Sequence, residues 1–222
     1  MEVLHTTTCA SHGHPEFRVR FDPKLVPVPD DARWLVGWLE DSVARGERFA
    51  PGQTCQIGWL VAQVRAGADG GLELWEPDLQ RLPVEWVEGV SGILGHLRLQ
   101  KDVAESVPDA EFEFPSMLRS TIVCTRFARA DTLILERTDT RESRSGWFCG
   151  CAEEDHDHDS VNELCRVSLY EAAVMSGMRI VPYLALPPGA LLELGTGAPT
   201  IFLNGEPVAF KPGSYLDTLS RR

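Results

Sequence analysis

The sequence predicts an α+β fold built mainly on antiparallel sheets with a few packing helices, and three observations carry that expectation. Short runs of alternating apolar and polar residues recur along the chain. Gly, Pro and Asn-Gly turn signals separate them at hairpin distances. Strands and helices do not alternate regularly, as a parallel α/β sheet would require. Length and punctuation divide the 222 residues into two sub-domains sharing or abutting a core. Residues 1–110 form an amino-terminal α+β domain of unassigned role, and residues 111–222 form a carboxy-terminal α+β domain. The proline-interrupted acidic stretch 107–116 is the crossing between them.

Each element has its own sequence reason. Residues 16–21 (EFRVRF) alternate as a half-exposed strand does. Asp30 and Asp31 are placed to cap a helix through Trp34, Leu35, Trp38, Leu39 and Val43, with Gly46 just past its end. Residues 54–65 read as one long strand, and 67–71 (GADGG) turn it into a second strand, LELWE, closed by Pro77. A helical run follows between Trp86 and Val107, with Ile93, Leu94, Leu97 and Val103 on one side. Three strand-like runs come next: TIVCTRF, DTLILERT and GWFCGC. Ser168, with Glu171 three residues on, has the capping-box pattern of a helix start. Residues 179–186 (RIVPYLAL) read as a strand leading to Pro187-Pro188-Gly189. A last hairpin spans 201–210 across Asn204-Gly205.

Charge bears on partners. Residues 1–110 hold 10 basic and 17 acidic residues and the remainder 11 and 16, so balances of −7 and −5 make up the net −12. Both parts are acidic and neither carries a basic tail. Nucleic acid is an unsuitable partner, since phosphate binding needs clustered Lys and Arg. A cationic protein would be steered in by such a field. No stretch approaches the roughly 20 apolar residues that span a bilayer. The amino terminus lacks the basic start and apolar run of a signal peptide. With six cysteines, this points to reduced thiols and a cytoplasmic location.

Residues 145–189 concentrate the chemistry. Cys149, Cys151, His156, His158 and Cys165 put five thiol and imidazole groups within seventeen positions, the ligand types zinc favours. In a strand, residues 149 and 151 share a face, so their sulfurs would converge while the histidines fold back. The alternative is two buried cysteines and two histidines in a solvated loop. Cys9-x-x-His12-x-His14 repeats the idea near the amino terminus, where Gly13 and Pro15 favour a turn into the next strand. Five carboxylates in seven residues (Glu153, Glu154, Asp155, Asp157, Asp159) repel one another unless a cation or partner compensates, the alternative being a mobile, solvated surface loop. Calcium is disfavoured, because the loop lacks the DxDxDG pattern. Catalysis is disfavoured too. The chain has no GxSxG, HExxH, GxxxxGK[ST] or GxGxxG motif, and carboxylates beside Cys149 and Cys151 would oppose a thiolate. Of the six tryptophans, most should fill the core, with Trp75 or Trp86 exposed.

Four segments in this region carry a resemblance: Ser145-Gly146-Trp147-Phe148, the acidic turn 153–159, Leu169-Tyr170-Glu171 opening a helix, and 180–189 (IVPYLALPPG). Together they resemble the thirty-third catalogued family of bacterial immunity proteins, which protect cells from polymorphic toxins. The family pattern is a strand with a GW start, an acidic turn, and later a strand ending in Pro-Tyr-Leu before a proline-glycine turn. The resemblance implies a non-enzymatic protein without a cofactor that binds and occludes a cognate toxin domain with a basic surface. Its contacts would be Trp147, Glu153, Glu154, Asp155, Asp157 and Asp159. The sequence departs from the family pattern at Cys149, Cys151, His156 and His158. That departure keeps a second reading open, a zinc-stabilised structural or regulatory module.

Overall fold

A computed structural model describes residues 1–139 and 143–221. Among them are two mixed, mostly antiparallel sheets of six and seven strands and four α-helices, an α+β architecture. The chain forms two compact units, Met1–Arg98 and Leu99–Arg222.

In the first unit, β1 (Glu2–His5) pairs antiparallel with β2 (Phe17–Phe21). The alternation in β2 is met: Phe17, Val19 and Phe21 are buried, while Arg18 and Arg20 reach Glu73 and Glu88 at 3.4 and 3.2 Å. Helix α1 (Pro29–Ala44) starts earlier than the aspartates suggest, with Val28 at the cap. Pro29 supplies the preset φ, and Asp30 and Asp31 lie in the first turn, where the helix dipole favours them. Leu35, Leu39 and Val43 are buried. The expected 54–65 strand is two strands, β3 (Thr54–Ile57) and β4 (Leu60–Ala66), because the chain reverses at Gly58-Trp59. Gly58 takes a φ of 61°, which a side chain disfavours. Next come β5 (Leu72–Pro77), β6 (Trp86–Glu88) and helix α2 (Ser91–Ser106), whose residues from Leu99 on belong to the second unit, and β5 pairs parallel with β2. The Glu76 carboxylate accepts the amides of Gly92 and Ile93 at 3.0 and 2.8 Å, capping α2 from outside.

The second unit holds β7 (Ser120–Cys124), β8 (Leu133–Arg137), β9 (Arg144–Cys151), β10 (Leu164–Ser168), helix α3 (Leu169–Met175), β11 (Ala190–Leu194), β12 (Thr200–Leu203), β13 (Glu206–Pro207) and helix α4 (Tyr215–Ser220). The sheet order is β10-β7-β9-β8-β11-β12-β13, with β7 on β9 its parallel pair. The capping box at α3 is present: Ser168 Oγ accepts the Glu171 amide, and Glu171 accepts the Ser168 amide. The Asn204-Gly205 hairpin also forms, with both residues at positive φ as a type I′ turn requires.

Residues 179–186 are not a strand. Val181–Tyr183 form a 3-10 turn with Pro182 at its start. Ile180, Val181, Leu184, Ala185 and Leu186 are all at most 1% exposed. A short apolar run buried on every side has no period to separate strand from helix, and Pro182 removes a ladder donor. Two carbonyls of this segment go to Arg137 instead. Its Nη1 donates to Leu184 O (3.1 Å), Glu113 O (3.0 Å) and Leu186 O. Glu113 Oε1 lies 3.1 Å from its Nη2. Burial lowers the Arg137 pKa to about 10, against the pull of Glu113.

One row of side chains crosses this sheet in register: Val123, Cys149, Leu135, Leu192 and Ile201. All five are at most 3% exposed. Helix α3 packs against β7 and β10. Each large aliphatic side chain so covered contributes about 1.5–3 kcal/mol relative to exposure. Replacing Arg137 by Met removes the guanidinium that donates to the Leu184, Leu186 and Glu113 carbonyls and faces the Glu113 carboxylate. Urea unfolding of R137M should show a loss of about 3–5 kcal/mol, and a loss below about 1 kcal/mol would contradict the assigned role.

Candidate functional site

Strands β7 and β9 end side by side, and the acidic loop runs from the end of β9 into β10, the other neighbour of β7. Val123 faces Cys149, so Cys124 stands one step further along, beside Gly150. Strand β9 closes at Cys151. The chain then runs through residues 152–160 and a 3-10 turn at Val161–Glu163 into β10, whose Leu164 pairs with Cys124. Both ends of the loop are therefore fixed next to cysteines.

Within the loop the carboxylates take different roles. Arg126 Nη1 donates to Glu153 Oε2 at 2.6 Å and to Asp155 Oδ1 at 2.7 Å. These bonds, Glu153 first, raise the arginine's pKa. Asp157 Oδ1 accepts the Asp159 amide at 2.9 Å, a local turn bond. Glu154 and Asp159 are exposed and have no side-chain partner among the described residues. A loop expected to repel itself is thus partly neutralised by one arginine, and its remaining free charge faces solvent.

The two histidines turn inward. His156 is 7% exposed, and its Nε2 is buried with no hydrogen-bond partner among the described residues. Its Nδ1 lies 3.7 Å from Glu163 Oε2, and that oxygen accepts Thr125 Oγ1 at 2.5 Å. His158 packs edge-on to His156 (4.8 Å between centroids) and to Phe148 (5.6 Å), and its Nε2 is 3.6 Å from Cys151 Sγ. Cys124 and Cys151 are both 1% exposed. The ligand atoms of Cys124, Cys151, His156 and His158 all lie within 4.8 Å of one another. Among the described residues, these four are placed to hold a metal.

This set corrects the sequence-derived one. Cys151, His156 and His158 come together, but Cys149 and Cys165 do not join them. Cys149 belongs to the buried row, where desolvation pushes its thiol pKa up to about 12 and leaves no thiolate nucleophile at neutral pH. Cys165 is exposed on the edge strand β10. Sequence spacing gave no signal for Cys124, because its place beside β9 is a matter of tertiary pairing. At the amino terminus, His14 is committed to structure: Nδ1 meets Pro15 O at 2.7 Å and Nε2 accepts the Phe49 amide at 3.0 Å.

The sheet face opposite the buried row is open. Ile122, Phe148, Glu136, Leu191 and Phe202 follow in register there, none of them buried. Ile122, Phe148 and Glu136 of this row line a groove of about 590 Å³, together with Arg144, His158 and Arg166. Trp147 points the other way. It is 3% exposed and its Nε1 donates to Leu184 O at 3.3 Å, so its indole is core rather than contact surface. Strand alternation puts Phe148, not Trp147, on the open side. The exposed tryptophan is Trp34 at 49%, whereas Trp75 and Trp86 are half-buried.

Residues 99–197 match the family model of the Imm33-like domain. The carboxy-terminal half of the chain is therefore an Imm33-like domain, and the loop, the cysteine–histidine cluster and most of the open face lie inside it. Such a domain implies an immunity protein, and immunity-family domains are typically non-catalytic. No curated protein and no solved structure matches the chain. Among the described residues, no helix is long and apolar enough to cross a membrane.

Gly150 is the contact on which the loop's inward fold rests. A Cβ there would meet Phe148 Cε1 at 2.9 Å and His158 Nε2 at 3.2 Å. The absent side chain is what lets His158 lie against β9. Gly150→Ala should therefore lower stability by about 1–3 kcal/mol in a thermal or urea melt. It should also raise loop 152–160 hydrogen exchange above wild type. An unchanged melt with unchanged exchange would show that the ring does not depend on this notch.

Proposed function

We propose that this protein is a cytosolic immunity protein that binds a cognate bacterial toxin domain and occludes it. The contact surface in this reading is the acidic loop together with the open face of the second sheet. The observation that carries it is the Imm33-like match over 99–197, which spans the loop and most of that face. The role belongs to the carboxy-terminal domain, which the sequence places at 111–222, and residues 1–110 are given no part in the contact.

Three features support the surface. Five exposed carboxylates in the loop and a net charge of −12 suit a partner with a basic face, steering encounter and setting register. Ile122, Phe148 and Leu191 add apolar area beside the charge, the mixture that protein interfaces use. The six free thiols suit a reducing compartment. Trp147 has no place in this contact, and Glu154 and Asp159 carry its freest charges.

Pull-down with tagged protein from the native host, at low and moderate salt, should bring down one toxin domain, less tightly as salt rises. Against that partner, the Glu154→Lys/Asp159→Lys double variant should associate about tenfold more slowly at low salt, with its melting unchanged. Association at the wild-type rate would remove the loop from the contact.

A further inference from the structure

We propose that Cys124, Cys151, His156 and His158 bind one zinc ion that fastens the acidic loop to the end of the second sheet. This site does not depend on the toxin-binding reading.

The distances suit a tetrahedral ion. Zinc holds thiolate sulfur at about 2.3 Å and imidazole nitrogen at about 2.1 Å, so the edges of its tetrahedron run about 3.3 to 3.8 Å. The four ligand atoms lie within 4.8 Å of one another, and the Cys151 Sγ to His158 Nε2 edge is 3.6 Å. Closing the remaining edges takes side-chain shifts of about an ångström or less. Two thiolates and two neutral imidazoles also make a zinc complex with no net charge, and the two thiol protons leave to solvent.

The ring of His156 points the same way. Its Nε2 is buried without a hydrogen-bond partner among the described residues, an arrangement that folding disfavours. A metal at the centre of the cluster satisfies it. The opposite nitrogen faces Glu163 at 3.7 Å, and Thr125 Oγ1 holds that carboxylate in place. A carboxylate behind a histidine is the usual outer support of a metal-bound imidazole, fixing its tautomer.

The origin of the ligands is a third support. Cys124 and Cys151 come from the ends of paired strands, so the sheet presets their separation. His156 and His158 come from a loop whose carboxylates repel one another, and Gly150 leaves the notch that admits His158. A bare Cys/His packing would ask this loop to bury one imidazole and half-bury another with little return. With zinc, the same folding is driven by metal–ligand bonds.

The test uses the full chain, expressed with zinc in the medium and desalted. Metal analysis should find about one zinc per chain. Chelator-treated protein reconstituted with cobalt(II) should show the intense visible bands of a tetrahedral site and a thiolate-to-cobalt band in the near ultraviolet. Cys151→Ser and His158→Ala should lose stoichiometric zinc, while Cys149→Ser and Cys165→Ser keep it. Glu163→Gln should retain the site but weaken zinc about 10- to 100-fold in competition with a chromophoric chelator. Less than about a tenth of an equivalent of zinc in wild type, after exposure to zinc, would overturn the proposal. So would a cobalt complex without thiolate bands, or a Cys124–Cys151 disulfide in unreduced protein. The cobalt spectrum is read on wild type, so it decides the matter even where a variant fails to fold.

Discussion

The parallel register of β7 on β9 is the constraint on which the second unit depends. Setting Val123 against Cys149 completes the buried row through Leu135, Leu192 and Ile201. The same register fixes the opposite face, where Ile122 and Phe148 stand beside each other half-exposed. It also carries Cys124 to the end of β9, next to the residue from which the acidic loop departs. A slip of one residue would turn every side chain of β9 over, burying Phe148 and exposing Trp147 and Cys149. Core, groove and cysteine pair all follow from one alignment. The buried Arg137 serves the same sheet from β8, gathering carbonyls from a segment that makes no ladder of its own.

The acidic loop then becomes a problem in electrostatics with two partial answers. Arg126 neutralises Glu153 and Asp155 on the outside. On the inside, the proposed zinc holds His156 and His158 and gives the buried imidazole nitrogen its partner. Between these two anchors the loop presents Glu154 and Asp159 at fixed positions beside the groove. A preorganised charged edge loses less conformational entropy on binding than a mobile one, which favours the proposed contact with a toxin. The metal would thus contribute to partner binding by ordering the surface while touching no partner itself.

Much of this was legible in the sequence, for reasons that can be named. The alternation of β2, the turn chemistry at Asn204-Gly205 and the capping box at Ser168 are local codes, and each formed as written. The immunity-family resemblance was carried by segments inside the domain that matches. What was not legible depends on tertiary context. Residues 179–186 are buried on all sides and show no period, so a 3-10 turn read as a strand. Trp147 stood among the contacts drawn from the family resemblance, yet its parity with Cys149 places it in the core. Cys124 could not be placed from sequence at all, since 26 residues and an intervening strand separate it from Cys151.

Protection by binding is measured most directly by growth. A toxin domain recovered with the tagged protein would be expressed from an inducible promoter in a sensitive host, with and without this full chain. Growth should stop with the toxin alone and be restored when the chain is present. Growth that stops equally in both cultures, with both proteins expressed and folded, would contradict a protective role for this chain.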